Sequence, residues 1–262
     1  MDYKSLFDRL VEREGKFDYD YNLYYNGNLE EVITRVSEEL GRCSPNLYNL
    51  ILDPPRIIRA FVNYKIENPW AFEAESLIKS SINLGLDIYK CEPCTAEELF
   101  ELKDWTIKTG NGSLLRNPLI QPADSTTWKS TFPGRSDKTA RYLTEQLEKK
   151  PVLFIALSHG GVAAGMDVYL RYCDSMMDGK EGKSVFYTAR LSTDKSNDAF
   201  PCLSDNEKRY LKDKSIGRKI VIFDEDSFSG VTLKRAKRFF SDEVFNGKSL
   251  ETVANFYGNA SR

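Results

Sequence analysis

The chain has 262 residues, 41% hydrophobic and 12% aromatic, with 37 Lys and Arg against 39 Asp and Glu. That is ample material for a core and enough length for about two domains. A formal charge of −2 gives no indication of nucleic-acid binding. No stretch approaches the roughly 20 apolar residues that span a bilayer, and Met1-Asp2-Tyr3-Lys4 lacks a signal-peptide pattern. The expectation is a soluble, cytoplasmic protein without a membrane partner.

Residues 1–130 contain no repeat or low-complexity tract and read as a mainly α-helical N-terminal region of unknown role. The aromatics Tyr19, Tyr21, Tyr24 and Tyr25 suit either a partner surface or the cover of a small core. Asn28 with Glu31 three residues on marks a helix start, with Val32, Ile33, Val36 and Leu40 inward and Gly41 as its end. Ser44-Pro45 and Asp53-Pro54-Pro55 predict breaks. Residues 71–84 predict another helix and residues 86–89 a short strand. Cys91 and Cys94, two of five cysteines, are spaced as a redox pair or half a zinc site, but no second ligand pair accompanies them. Thr95 with Glu98 forms a capping box, which places both thiols before a helix and lowers a thiol pKa; a spectator turn is the better reading. Gly110-Asn111-Gly112 and the proline-bearing residues 117–135 read as loop and linker, so a second domain is expected over 131–262.

That half opens with a helix over 136–149, with Ala140, Leu143 and Leu147 at helical spacing. Six apolar residues, Val152 to Leu157, predict a strand buried on both faces, ending in Ser158-His159-Gly160-Gly161. Helical small residues follow, with Met166 to Tyr172 as a crossover. A strand over 184–189 leads into Arg190. The polar residues 191–217, with Lys195, Lys208, Arg209, Lys212 and Lys214, predict a long mobile loop. A second apolar run, Ile220 to Phe223, breaks onto Asp224 and Glu225. Then come Asp226 and a loop of Ser227, Phe228, Ser229, Gly230, Val231 and Thr232 that opens onto a helix carrying Leu233, Ala236 and Phe240. A last strand is expected over 250–257. Strands alternating with helices predict a parallel sheet, and in such sheets ligands lie at the carboxyl ends, where all three motifs fall. Small residues at a helix N-terminus suit phosphate, and adjacent acids suit sugar hydroxyls or a Mg²⁺ that phosphate also binds. The joint demand is a phosphorylated sugar or nucleotide.

The run Ile220 to Leu233 resembles the phosphoribosyl diphosphate (PRPP) motif of type I phosphoribosyltransferases, and Leu157 to Gly161 resembles that family's diphosphate loop. The resemblance covers about residues 136–262. It implies a Rossmann-like, twisted, mostly parallel α/β sheet flanked by helices. It further implies that Asp224 and Glu225 hold the ribose hydroxyls, with an indirect role toward Mg²⁺, and that Ser227 to Thr232 surround the 5-phosphate. Ser158, His159, Gly160 and Gly161 would grip the diphosphate, with Arg190 as the basic residue after the second strand. Phe256 or Tyr257 would stack an acceptor base. Two departures stand out: Asp226 replaces a usually apolar residue, and Phe228 stands where some members carry a base-facing Asp.

The resemblance implies a Mg²⁺-dependent transferase passing ribose 5-phosphate to an unidentified acceptor and releasing diphosphate. The alternative is a non-catalytic nucleotide sensor or effector, as in bacterial regulatory or conflict systems. A weaker third is a hydrolase of phosphorylated sugars, with His159 or the acids activating water. Asp224 and Asp226 also match loosely the Asp-x-Asp signature of haloacid-dehalogenase-type phosphatases, but only 36 residues follow Asp226, too few for the rest of that sheet. An acidic turn without ligand is the bland reading. The N-terminal region leaves room for a homodimer or a protein partner.

Overall fold

A computed structural model of the protein describes residues 4–16, 18, 25–71, 73–91, 96–108, 110, 112–116, 118–121, 130–158, 160–176, 183–191, 201–227 and 230–256. The chain divides into two compact units, Lys4–Trp128 and Lys129–Arg262. No helix among the described residues is long and apolar enough to cross a membrane.

The first unit carries helices α1 (Leu6–Glu14), α2 (Leu29–Leu40), α3 (Leu47–Glu67), α4 (Ala74–Lys90), α5 (Ala96–Lys108) and α6 (Gly112–Arg116). An antiparallel pair, β1 (Tyr25–Asn28) and β2 (Pro118–Gln121), ties its two ends together. Thus part of the expected 117–135 linker is a strand, and the helix α7 already starts at Pro133. Asn28 and Glu31 form the reciprocal cap at the start of α2, and Ser5 with Asp8 does the same for α1.

Two sequence expectations fail in this unit. Residues 86–89 are the last turn of α4, not a strand; Ile88 and Tyr89 are buried at helical spacing with Gly85 and Leu84. Asp53-Pro54-Pro55 lies inside α3 and does not break it. A proline in a helix interior removes one i→i−4 hydrogen bond and costs about 3 kcal/mol. Pro55 leaves the carbonyl of Ile51 without its helical donor, and the Tyr89 hydroxyl donates to that oxygen at 2.7 Å. Asp53 is fully buried between Arg35, which donates at 2.6 and 2.8 Å, and Arg56, at 2.8 Å. Ile51, Ile57, Ile58 and Phe61 are buried along the same helix. Tertiary contacts on both sides of the prolines thus offset the local penalty.

The second unit is a mixed α/β layer structure. Its elements are α7 (Pro133–Gln146), β3 (Val152–Ser158), α8 (Gly161–Ser175), β4 (Val185–Arg190), α9 (Asp205–Lys214), β5 (Lys219–Asp226), α10 (Val231–Phe239), a π-helical turn (Phe240–Val244) and β6 (Leu250–Phe256). The four strands are parallel in the order β4-β3-β5-β6. Side chains alternate across the sheet. Phe154, Phe186 and Tyr169 of α8 meet on one face. On the other face the Tyr187 hydroxyl donates to Glu207 of α9 at 2.6 Å. Every residue of β3 is buried, as a strand covered on both faces requires. Gly165 permits the tight seat of α8: a Cβ there would stand 2.9 Å from the Ala156 Cβ and 3.2 Å from the Phe223 ring.

The long loop expected over 191–217 is corrected by α9. Residues 192–200 lie outside the described residues, but Asp205–Lys214 is a helix with the capping box Ser204/Glu207. Its Leu211 and Glu207 are buried. Lys208 lies over the Phe239 ring at 5.9 Å, and Arg209 bonds Asn206 and the Asp205 carbonyl. Arg209 is thus engaged on the helix itself and Lys208 against the end of α10.

Candidate functional site

The strand order creates a reversal between β3 and β5: from β3 the chain crosses to β4 on one side, then returns past β3 to β5 on the other. Crevices at such switch points, outside the carboxyl ends of the strands, are where open α/β sheets bind ligands. Here the register makes the opening concrete. Pairing of β3 with β4 continues to Ser158↔Arg190, and pairing of β5 with β6 continues to Asp226↔Phe256. Pairing of β3 with β5 ends earlier, at Ala156↔Phe223. The ladder is open between Leu157-Ser158 and Asp224-Glu225.

Residues singled out from sequence collect at this opening. Ser158 ends β3 and is 1% exposed; its Oγ has no hydrogen-bond partner among the described residues. Gly160 and Gly161 start α8. A Cβ on Gly161 would lie 3.5 Å from Glu225 Oε2 and 3.6 Å from the Glu225 backbone nitrogen, so the glycine loop and the acids face each other. Arg190 ends β4 beside Ser158. Asp224, Glu225 and Asp226 are partly buried at the end of β5, and Asp224 Oδ1 accepts the Glu225 N–H at 3.1 Å.

Burial, reinforced by the neighbouring Asp226 charge, pushes the Asp224 carboxyl up to about 6. Glu225 is raised well above the usual carboxylate range, first by burial and then by the Asp224 charge beside it. Crowding of two acids in a partly buried cleft makes their charge costly, and a cation or hydrogen-bond donor would offset that cost. Among the described residues no group of three or more His, Cys, Asp or Glu is placed to hold a metal.

The loop into α10 brings Ser227 and Gly230 together: a Cβ on Gly230 would lie 3.8 Å from Ser227 Oγ. Gly230 has φ +70°, which favours glycine at this helix entry. Val231 and Thr232 form the first turn of α10. Phe256 ends β6 opposite Asp226. His159, Phe228, Ser229 and Tyr257 lie outside the described residues, as do Lys195 and Cys94. Cys91 closes α4 with φ +57°. Its thiol pKa is raised by local burial, with Arg9 opposing, not lowered as the helix-start reading expected.

Asn255 escaped the sequence reading. It lies on β6 level with Glu225, and its Nδ2 donates to the Ser130 carbonyl at 2.9 Å and to Ser136 Oγ at 3.1 Å. The only available sequence signal was a polar residue near the end of an apolar strand. No protein-family model matches the chain, and no curated protein or solved structure matches it significantly.

Proposed function

We propose that the second unit binds a ribose 5-phosphate group and acts as a Mg²⁺-dependent phosphoribosyltransferase with a Rossmann-like fold of the type I kind. The observation that carries this reading is the meeting of Gly161 and Glu225 across the open β3–β5 ladder. It joins a small-residue helix start, suited to diphosphate, to an acidic pair suited to sugar hydroxyls.

In this reading Asp224 and Glu225 accept hydrogen bonds from the ribose 2- and 3-hydroxyls and stabilise positive charge at the anomeric carbon. Ser227, Gly230, Val231 and Thr232 cradle the 5-phosphate, with Phe228 and Ser229 completing the loop. Ser158, His159, Gly160 and Gly161 address the diphosphate, with Arg190 supplying positive charge from β4. Mg²⁺ fits this donor set as a shared ion. Crowded carboxylates of raised pKa gain from a divalent cation, and Asp224 and Glu225 would hold it indirectly, through ribose or water, beside the substrate's phosphates. When bound, the ion neutralises charge building on the departing diphosphate.

The second reading, a non-catalytic nucleotide sensor, draws on the third acid, Asp226, which adds negative charge where a substrate brings more. Measurement of diphosphate release from PRPP over a panel of nucleobases separates the two. Replacing Asp224→Asn and Glu225→Gln together is expected to abolish release while the circular-dichroism melt persists, because the acids stand at a strand end. Near wild-type release from the double variant would refute the sugar-site assignment. Tight PRPP binding without turnover would select the sensor.

A further inference from the structure

We propose that the outward face of α10 binds the phosphate backbone of a nucleic acid, independently of base sequence and of the ribose-phosphate reading above. The near-neutral total charge conceals an uneven distribution. Residues 1–128 carry 14 Lys and Arg against 21 Asp and Glu, whereas residues 129–262 carry 23 against 18. Such asymmetry between halves points to a polyanionic partner for the basic one. Within it, Lys234, Arg235, Lys237 and Arg238 are concentrated on α10, and all four are exposed. Leu233, Ala236 and Phe240 turn the opposite side into the core, so at 3.6 residues per turn the four cations share the solvent face. Elsewhere in this unit cations are matched by an acid nearby in the chain: Arg141 by Asp137 at 2.9 Å, Lys150 by Glu148 at 2.7 Å and Arg171 by Asp167 at 3.1 Å. On α10, Arg238 meets Asp242 at 3.7 Å with both side chains well exposed. Lys234, Arg235 and Lys237 meet no carboxylate among the described residues. The Lys208 ammonium of α9, over the Phe239 ring, stands at the end of the same helix.

Like charges three and four residues apart repel on a helix, and an anion with a repeating charge offsets that repulsion. Lys234 and Arg238 lie about 6 Å apart along the axis, so the face offers a row of charge and not a pocket for one anion. A membrane surface is also anionic, but helices that lie in it bury an apolar face. Among residues 231–241 the exposed large apolar side chain is Val231, at 39%. A protein interface draws on aromatic anchors and is poor in lysine. The phosphates of a nucleic-acid strand require neither, and Lys and Arg are the side chains that neutralise them.

Fluorescence anisotropy of a labelled single strand of about 20 nucleotides, and of a duplex of the same length, titrated with the full chain at about 50 to 200 mM salt, tests this. The wild type should bind at the lower salt, and log K should fall against log salt with a slope of about −3, as neutralisation of about four phosphates dictates. Arg235→Gln, Lys237→Gln and Arg238→Gln together should weaken binding by about tenfold or more and bring the slope to about −1. Each single substitution should reduce the slope by about 0.8, which carries the test if the triple variant is unstable. Absence of binding to either probe at about 50 mM salt, or an unchanged slope in the charge-removed variants, overturns the proposal. So does capture of the chain by phosphatidylserine vesicles without binding to either nucleic acid, which assigns the face to a membrane.

Discussion

Asp224→Asn is expected to stabilise the second unit at neutral pH and to change it little near pH 4. The carboxyl's rise from 3.8 to about 6 reflects a cleft that opposes its charge. In the unfolded chain the same group ionises near its ordinary value. Between about pH 4 and 6 the folded state therefore holds a proton that the unfolded state has released, and stability falls as pH rises through that window. Above about 6 the cost is fully present. At about 1.4 kcal/mol per tenfold change in proton affinity, the ceiling is about 3 kcal/mol. Residual solvent access at the sheet edge reduces this to about 1–2 kcal/mol. Asn preserves the acceptor that Asp224 offers the Glu225 N–H. Removing the charge also relieves Glu225, an effect of the same sign. Urea unfolding of the full chain, followed by circular dichroism at about pH 4 and pH 7.5, measures the effect; the variant should gain only at the higher pH. Equal gains at both, or a loss at pH 7.5, would show that the acids are not held against their charge. A gain accompanied by lost PRPP binding would mark the acids as retained at a stability cost.

Two further expectations rest on backbone chemistry. Gly230→Ala should weaken binding of a ribose 5-phosphate ligand and destabilise the second unit by about 1–2 kcal/mol. The methyl group finds room, 3.8 Å from Ser227 Oγ and 4.0 Å from Lys234 Cε, so φ +70° alone is the cause; unchanged calorimetric affinity and urea midpoint would refute it. Tyr89→Phe should cost about 1–3 kcal/mol by orphaning the Ile51 carbonyl. In a Pro55→Ala background the restored helical N–H should shrink that cost, and additivity in the double-mutant cycle would show that the hydroxyl does not replace the missing donor.

Legibility from sequence followed the source of each element's stability. Val152–Ser158 and Lys219–Asp226 were legible because strands buried on both faces must be written as apolar runs. The α2 start was legible because its cap lies within four residues. Helix α9 was not, because its apolar pattern is nearly blank: Leu211 and the Glu207 carboxyl, bonded to Tyr187, anchor it. Its Ser204/Glu207 cap was a readable signal that passed unused. Pro54-Pro55 misled because a hydroxyl 38 positions along the chain from Ile51 supplies the lost donor. Of the site, the acids and glycines were legible as local motifs. Asn255 was not, since Ser130 and Ser136, more than a hundred positions away, give it meaning.

The early end of β3–β5 pairing divides the carboxyl edge into two ribbons, β4-β3 and β5-β6, that share no rungs beyond Ala156↔Phe223. Below that level the sheet behaves as one plate. Above it, each ribbon can tilt without breaking a ladder hydrogen bond between them, like the prongs of a tuning fork joined at the stem. A molecule bridging Ser158 and Glu225 would serve as the missing crosspiece. Occupancy would then be registered as stiffness of the sheet itself, and amide exchange at Leu157, Ser158, Asp224 and Glu225 would slow together, whichever prong the molecule touched first.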